Sequence, residues 1–445
     1  MRFIPVSCTE RDEMLETVGA RSVDALFDVI PPDVRLNRSL DIPGGMGELE
    51  LAAHLEELAG RNRHSGNLVS FLGGCCYDHY VPAMVDAVLS KPEFFTAYIP
   101  YQPEVSQGTL QAIYEFQSMV CALTGMDVAN ASLYDGATAF VEGALMAARV
   151  TKRRSFVVAG TVHPEWRETL GTYCDAGSYE LAECPASGGV LDLGVLDTMV
   201  GDGTAAVLVS SPNFYGNLEN LVEAARIAHD VGALLVVSVN PILLGVLEAP
   251  ATFGADVVVG EGQPLGNEMS YGGPGLGMFA CRKEFLRAMP GRIVGRTTDV
   301  DGRPGFVLTM ATREQHIRRE KATSNICSNH ALNALAAGVY LASVGSVGLK
   351  GIGEACIAKA HFLRERLLAT GRFTASWETP FVNEFALRFD GDVAAMQTAM
   401  LERGFLAGLD LSRFNLADEG LVLFAVTEKR TRAQLECFIE EVASL

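Results

Sequence analysis

Positive charge is scarce in this chain. Its 445 residues carry 35 Lys and Arg against 54 Asp and Glu, a formal charge of −19. That balance argues against nucleic acid and anionic membrane as main partners and reads as an acidic, solubilising surface. No C-x-x-C pair occurs among the ten cysteines. Vicinal Cys75 and Cys76 read as small buried residues and not as nucleophiles. His163, His229, His316 and His330 show no metal-ligand spacing, so no metal site is expected. No run of about 18 uninterrupted apolar residues is present, so no membrane span is expected. Without a secretory leader pattern, the thiols are expected to stay reduced and the protein to be cytoplasmic.

What is present is a large apolar fraction, 49% hydrophobic with 20% charged residues, enough for an extensive core. The patterning divides into three parts. Residues 1–60 read as a helical arm, with Thr9 and Asp12 as a capping-box-like start and a helix over Leu49–Leu58. Residues 61–325 alternate strand, polar tip and helix. Residues 326–445 read as a smaller α+β lobe, with helices at Ala331–Val344 and Glu354–Ala369 and strands at Glu384–Phe389 and Leu421–Val426.

The middle part is organised around residues 97–138. Pro100 and Pro103 stiffen a loop that presents Tyr98, Tyr101, Gln102, Glu104 and Gln107. Ser106 is the expected cap of the helix that follows, whose apolar face is Leu110, Ile113, Phe116, Val120 and Leu123, with Gly125 as its stop. A short strand then leads to Asp135-Gly136-Ala137-Thr138, the start of a second helix. Its small residues leave backbone N–H groups open. This is either a packed corner or an anion site.

Strands expected at Ser155–Ala159, Ala205–Val209, Leu234–Val239 and Asp256–Val259 are Val-rich continuous runs, as in a mainly parallel sheet covered on both faces. Ligands in such sheets bind beyond the carboxyl ends of strands. His163, Asn213, Ser238, Asn240 and Gln263 are therefore expected to share one crevice near Asp135-Gly136. Ser270–Gly277 holds four glycines, which implies close backbone approach or a crossing loop. Arg313, His316, Arg318, Arg319 and Lys321 crowd basic charge into 310–329, either as a solvated helix face with Glu314–Arg318 pairing or as a patch for a partner or an anion.

A large α/β lobe followed by a small α+β lobe resembles the aspartate-aminotransferase-like, fold-type I pyridoxal phosphate enzymes. Such enzymes hold the cofactor on a lysine. Here Pro264 stands about where that lysine would be, and Ser238 about where an Asp would pair with the pyridinium nitrogen. The candidate cofactor contacts left are Asp135, Gly136, Ala137, Thr138, His163 and Ser238. His163 is either a stacking ring or an ordinary loop histidine.

The runs F-L-G-G-C-C-Y-D-H-Y-V-P (Phe71–Pro82), Y-I-P-Y-Q-P-E-V-S-Q-G (Tyr98–Gly108), G-E-G-Q-P-L-G-N (Gly260–Asn267), Y-G-G-P-G-L-G (Tyr271–Gly277) and T-R-E-Q-H-I-R-R-E-K-A-T-S-N-I-C (Thr312–Cys327) resemble the glycine decarboxylase P-protein of the glycine cleavage system, in its N-terminal-half form. The resemblance covers nearly the whole chain. It implies a subunit 1 that assembles as α2β2 with a subunit 2 bearing pyridoxal phosphate on its lysine. It also implies glycine as substrate of the complex and transfer of the aminomethyl group to the lipoyl arm of the H-protein. In this chain it implies no catalytic residue of its own, with Tyr98, Tyr101, Gln102, Glu104 and Gln107 on an interface or substrate-side loop. Two alternatives stay open: an autonomous enzyme with a displaced lysine, Lys283 or Lys321, or a scaffold whose pseudo-site holds nothing.

Overall fold

The computed structural model describes residues 6–36, 38–98, 100–414 and 420–445. The chain divides into two compact units, residues 1–63 and 64–445. In the first, α1 (Cys8–Thr17) and α2 (Glu48–Gly60) flank a short turn of 3-10 helix at Asp24–Phe27. Ser7, and not Thr9, caps α1. Its hydroxyl accepts from Glu10 N–H while the Glu10 carboxylate accepts from Ser7 N–H. A Ser with Glu three residues on completes a capping box that Thr9 with the shorter Asp12 does not. No residue of these three elements is buried, and Val29, Val34 and Leu49 are largely exposed.

The second unit is built on a seven-stranded sheet. Its strands are β1 (Val128–Ala129), β2 (Ser155–Ala159), β3 (Glu180–Cys184), β4 (Thr204–Ser210), β5 (Leu234–Val239), β6 (Val257–Glu261) and β7 (Gly277–Cys281). The spatial order is β1-β7-β6-β5-β4-β2-β3. The five strands from β6 to β3 are parallel, and β7 runs antiparallel to both its neighbours. β4 and β5 are buried at every position, which is why they read as unbroken apolar runs. β3 escaped the sequence reading because it is an edge strand carrying Glu180 and Glu183 on exposed positions. Helices α3 (Gln107–Thr124), α4 (Gly136–Thr151), α5 (Pro164–Gly177) and α6 (Leu221–Asp230) supply much of the rest of this lobe. α3 buries Leu110, Ile113, Phe116 and Val120 and stops at Gly125, where φ is 72°. The Ser106 hydroxyl makes no cap bond to α3.

A hairpin of β8 (Ile293–Thr298) and β9 (Pro304–Thr309) follows. It shares a small apolar cluster with α3 through Val294, Leu110 and Ile113. Residues 311–321 form three short turns instead of the basic helix face that spacing suggested. Glu314 lies 3.5 Å from Arg292 and 3.6 Å from His316, partners out of reach of an i,i+4 rule.

The two helices expected after residue 330 are one run, α7 (Ala331–Ala369), interrupted by Gly345 at φ 61°. Its length and hydropathy alone would suit a membrane crossing. Its first half, however, packs Ala334, Tyr340 and Leu341 into the large core, and its second half packs Ala360, Leu363 and Leu367 into the small one. The small lobe is an antiparallel sheet of β10 (Phe373–Ala375), β11 (Glu384–Phe389), β12 (Leu409–Asp410) and β13 (Leu421–Ala425), in the order β10-β11-β13-β12. α8 (Val393–Glu402) and α9 (Arg432–Ala443) pack on it. Chain from the start of this unit returns to the small lobe: Val69 and Ser70 pair with Phe405 and Leu406, and Phe71 is buried in the small core. The lobes are therefore interlocked by both α7 and the 69–80 segment.

Candidate functional site

The crevice lies where the fold predicts, beyond the carboxyl ends of β4, β5 and β6. Ser210, Ser238 and Glu261 line it from the strands, Tyr77 and Cys75 from the crossing segment, and Glu384 from the small lobe. Its cavity volume is about 20 Å³, room for roughly one water molecule.

The Asp135–Thr138 turn opens α4 as expected. Asp135 is the N-cap and accepts from Thr138 N–H at 2.7 Å, and the Thr138 hydroxyl accepts from Asp135 N–H at 3.2 Å. Ala137 and Thr138 are half-buried on that first turn. The open amide of the turn is not open. Gly136 N–H donates to the Glu261 carboxylate at 2.9 Å, and a side chain at Gly136 would meet the Trp166 ring at 2.5 Å. Glu261 also accepts from Gln263 N–H and Leu276 N–H, both at 2.8 Å. The carboxylate thus occupies the anion seat that a helix N-terminus creates. Burial outweighs those three amides and pushes its carboxyl up to about 7.

A second carboxyl closes the crevice from the other side. Glu384 accepts from the Tyr77 hydroxyl at 2.5 Å and from Gly74 N–H at 2.7 Å. Burial pushes it up to about 7 as well, and burial followed by the Glu384 charge pushes the Tyr77 hydroxyl far up. The Gly73-Gly74 pair is required here: a side chain on Gly73 would stand 1.9 Å from the Glu384 carboxylate. Gly216, at φ 86°, lies so close that its Cβ would meet the Glu384 carbonyl at 2.0 Å.

The other expected crevice residues divide. Asn213, Ser238 and Asn240 do line the cavity. Asn213 is already committed, donating to Glu219 at 2.7 Å and to the Gly189 carbonyl at 2.9 Å. Gln263 is buried and turned to the crossing segment, accepting from Tyr77 N–H and donating to the Tyr77 carbonyl. His163 caps α5, and its ring meets Phe214 at 4.7 Å and lies 6.2 Å from Trp166. Burial pushes the imidazole down to about 4, so it is neutral. Its ring neighbours are Phe214, Trp166 and Phe414.

The 97–107 loop is a different kind of surface. Tyr98 is 81% exposed, and Gln102 and Glu104 are also exposed. The Tyr101 hydroxyl accepts from Arg292 at 3.0 Å, and the guanidinium lies 5.3 Å over its ring. Arg292 also donates to the Cys327 carbonyl, which ties this loop to the 310–328 segment. Gln107 is structural: its amide bridges Pro103 and both backbone groups of Phe306, pinning the loop to the hairpin. Arg313, expected as part of a basic patch, spends its guanidinium on the carbonyls of Met289, Met310 and Gly291.

The glycine loop does approach something closely, and it is this chain. A side chain on Gly275 would meet Glu261 at 2.9 Å, and one on Gly277 the Asp135 carbonyl at 2.5 Å. Lys283 follows β7, whose end pairs with the first residue of β6, so it sits at the opposite end of the sheet from the crevice. No lysine is among the residues lining the crevice.

These residues do not fit a covalently held pyridoxal phosphate. The anion seat is filled by Glu261, the His163 ring packs against Phe214 and Phe414, and the cavity is water-sized. Sequence reasoning missed Glu261, Glu384, Tyr77 and Trp166. Glu261 had a usable signal, a carboxylate at the tip of a central strand. Glu384 had none, because it lies 310 residues from the amide it holds.

A mainly parallel sheet with a crevice at its carboxyl ends, and a small antiparallel lobe interlocked with it, is the architecture of fold-type I pyridoxal phosphate enzymes. The sphingosine-1-phosphate lyase of Burkholderia pseudomallei shares it with TM-score 0.66 at 17% identity, over 93% of this chain and 94% of that one. The glutamate decarboxylase of Lactobacillus brevis shares it with TM-score 0.67 at 13% identity, over 93% and 95%. Within that class the chain belongs to the glycine cleavage system P-protein family, whose profile matches residues 1–442. It is 49% identical to the probable glycine dehydrogenase (decarboxylating) subunit 1 of Desulforamulus reducens and 50% identical to that of Chlorobium luteolum, over the full length of each. A crystal structure of glycine decarboxylase (P-protein) of the glycine cleavage system, in inhibitor-bound form, superposes with TM-score 0.93 at 42% identity over all of both chains.

Proposed function

We propose that this chain is subunit 1 of a heteromeric glycine dehydrogenase (decarboxylating), and that it shapes and supports a site whose covalent chemistry belongs to subunit 2. The observation that carries this reading is Glu261 seated on Gly136 N–H in a crevice without a lysine. Subunit 2 then bears pyridoxal phosphate on its own lysine, glycine is decarboxylated there, and the aminomethyl group passes to the lipoyl arm of the H-protein. The assembly is α2β2 and cytoplasmic. Tyr98, Tyr101, Gln102 and Glu104 form the face this chain turns to subunit 2. Two features support a partner: the exposed loop stands on the rigid Tyr101–Arg292 link, and the arm elements bury none of their own residues. Asp135, Gly136, Ala137, Thr138, His163 and Ser238 act as packing and not as cofactor contacts.

The test is borohydride reduction with pyridoxal phosphate, on the pure chain and then with subunit 2, followed by peptide mapping. Label confined to subunit 2 is expected. Specific label on Lys283, Lys321 or any other lysine of this chain overturns the reading.

A further inference from the structure

Outside the crevice lining, three chemically capable side chains meet at the joint between the lobes, and the Tyr340 hydroxyl feels the charge of two of them, Glu428 and Cys356. His79 comes from the crossing segment, Cys356 and Tyr340 from the two halves of α7, and Glu428 from the turn after β13. One ring nitrogen of His79, the Cys356 thiol sulfur and a Glu428 carboxylate oxygen all lie within 4.8 Å of one another. His79 Nδ1 is 2.6 Å from Glu428 Oε2, and Cys356 Sγ is 3.7 Å from the same oxygen. His79 and Cys356 are buried, and the buried Tyr340 hydroxyl has no hydrogen-bond partner among the described residues. Buried polar atoms without partners are uncommon and call for an explanation.

We propose that His79, Cys356 and Glu428 form a binding site for a divalent, zinc-type cation, with the Tyr340 hydroxyl or a water as fourth ligand. The donor set is nitrogen, sulfur and carboxylate oxygen, the set zinc takes at about 2.0–2.3 Å. The charge also balances: one thiolate and one carboxylate neutralise a dication in a largely buried site. On binding, the ion takes the place of the proton shared by His79 and Glu428, which moves to the other ring nitrogen, and the thiol gives its proton to solvent. Supports around the ligands are in place. Glu428 Oε1 accepts from Tyr80 N–H at 2.7 Å, and Lys359 donates to the Glu428 carbonyl. The ion would pin the crossing segment, α7 and the small-lobe sheet together at the point where the two cores meet. Spacing hid the site, since its ligands lie 72 to 349 residues apart.

The full-length chain, stripped with chelator, is titrated with Co²⁺ and then Zn²⁺. One equivalent of Co²⁺ is expected to raise a near-ultraviolet thiolate-to-cobalt charge-transfer band that Zn²⁺ abolishes. Cys356→Ala is expected to lose the band and to weaken Zn²⁺ binding by more than the roughly 10–100-fold typical of outer-shell changes. Absence of the band overturns the proposal. So does its survival in Cys356→Ala, which would put the metal on exposed Cys8, Cys327 or Cys437. If that variant does not fold, alkylation of the wild-type chain in moderate urea decides. Zn²⁺ should protect Cys356 but not buried Cys281, and equal protection of both, or of neither, overturns the site.

Discussion

The crevice and the 97–107 loop are both polar, aromatic and attached to α4 or α3, yet they are built in opposite ways. In the crevice the carboxylates and Asn213 are used internally, Glu261 on three amides, Glu384 on Tyr77 and Gly74, Asn213 on Glu219, while the amide nitrogens of Asn240 and Asn383 have no partner among the described residues. On the loop, Tyr98, Gln102 and Glu104 face solvent, while Gln107 and Tyr101 fasten the backbone beneath them. The crevice carboxylates thus face inward, while the loop keeps an outward face. That is the division expected of a subunit that supports chemistry in a neighbour.

The sharpest way to break the comparison is to prise the crevice open. Gly216→Ala forces a Cβ against the Glu384 carbonyl at a left-handed φ, and it is expected to destabilise the chain by about 3 kcal/mol or more, read from urea unfolding. Glu384→Ala leaves the buried Tyr77 hydroxyl and Gly74 N–H unpaired, at a cost of about 2–3 kcal/mol. The two carboxyls also give a signed pH effect. Their folded values, about 7, lie above the ordinary 4.5. Between those limits the folded chain keeps protons that the unfolded chain has released, so their contribution turns against folding as pH rises and is complete above about 7. Glu384→Gln should therefore gain stability relative to wild type from pH 5 to pH 8, by up to roughly 3 kcal/mol. A gap that stays constant would show that Glu384 titrates as an ordinary carboxyl. Glu261→Ala frees Gly136 N–H, and millimolar phosphate should then raise the melting temperature of the variant but not of wild type. The smallest effect is expected on the loop: Tyr101→Phe loses one partly exposed hydrogen bond, about 0.5–1 kcal/mol. The same change should weaken association with subunit 2 in a sedimentation assay more than it weakens the fold.

Much of the fold was legible. Val-rich runs located β2, β4, β5 and β6 to within two residues, because a strand buried on both faces has no polar positions to confuse its limits. Edge strand β3 and the β8–β9 hairpin were not legible, since partly exposed strands carry charge and glycine and lose that pattern. The break in α7 was expected as a gap between two helices, and Gly345 supplies it. In the candidate site, the missing lysine and Ser238 could be read directly. That Asp135 caps α4 could also be read, but that Glu261 fills the seat beside it could not.

The sequence by itself determined the class of fold, the family and the absence of a lysine after β6, because these rest on local pattern and on which residue occupies a position. Only the tertiary structure decided that the anion seat is filled, that Glu384 meets Gly74 across 310 residues, and that His79, Cys356 and Glu428 converge. Which groups meet depends on how the two lobes interlock, and neither composition nor spacing records a contact between residues so far apart in the chain.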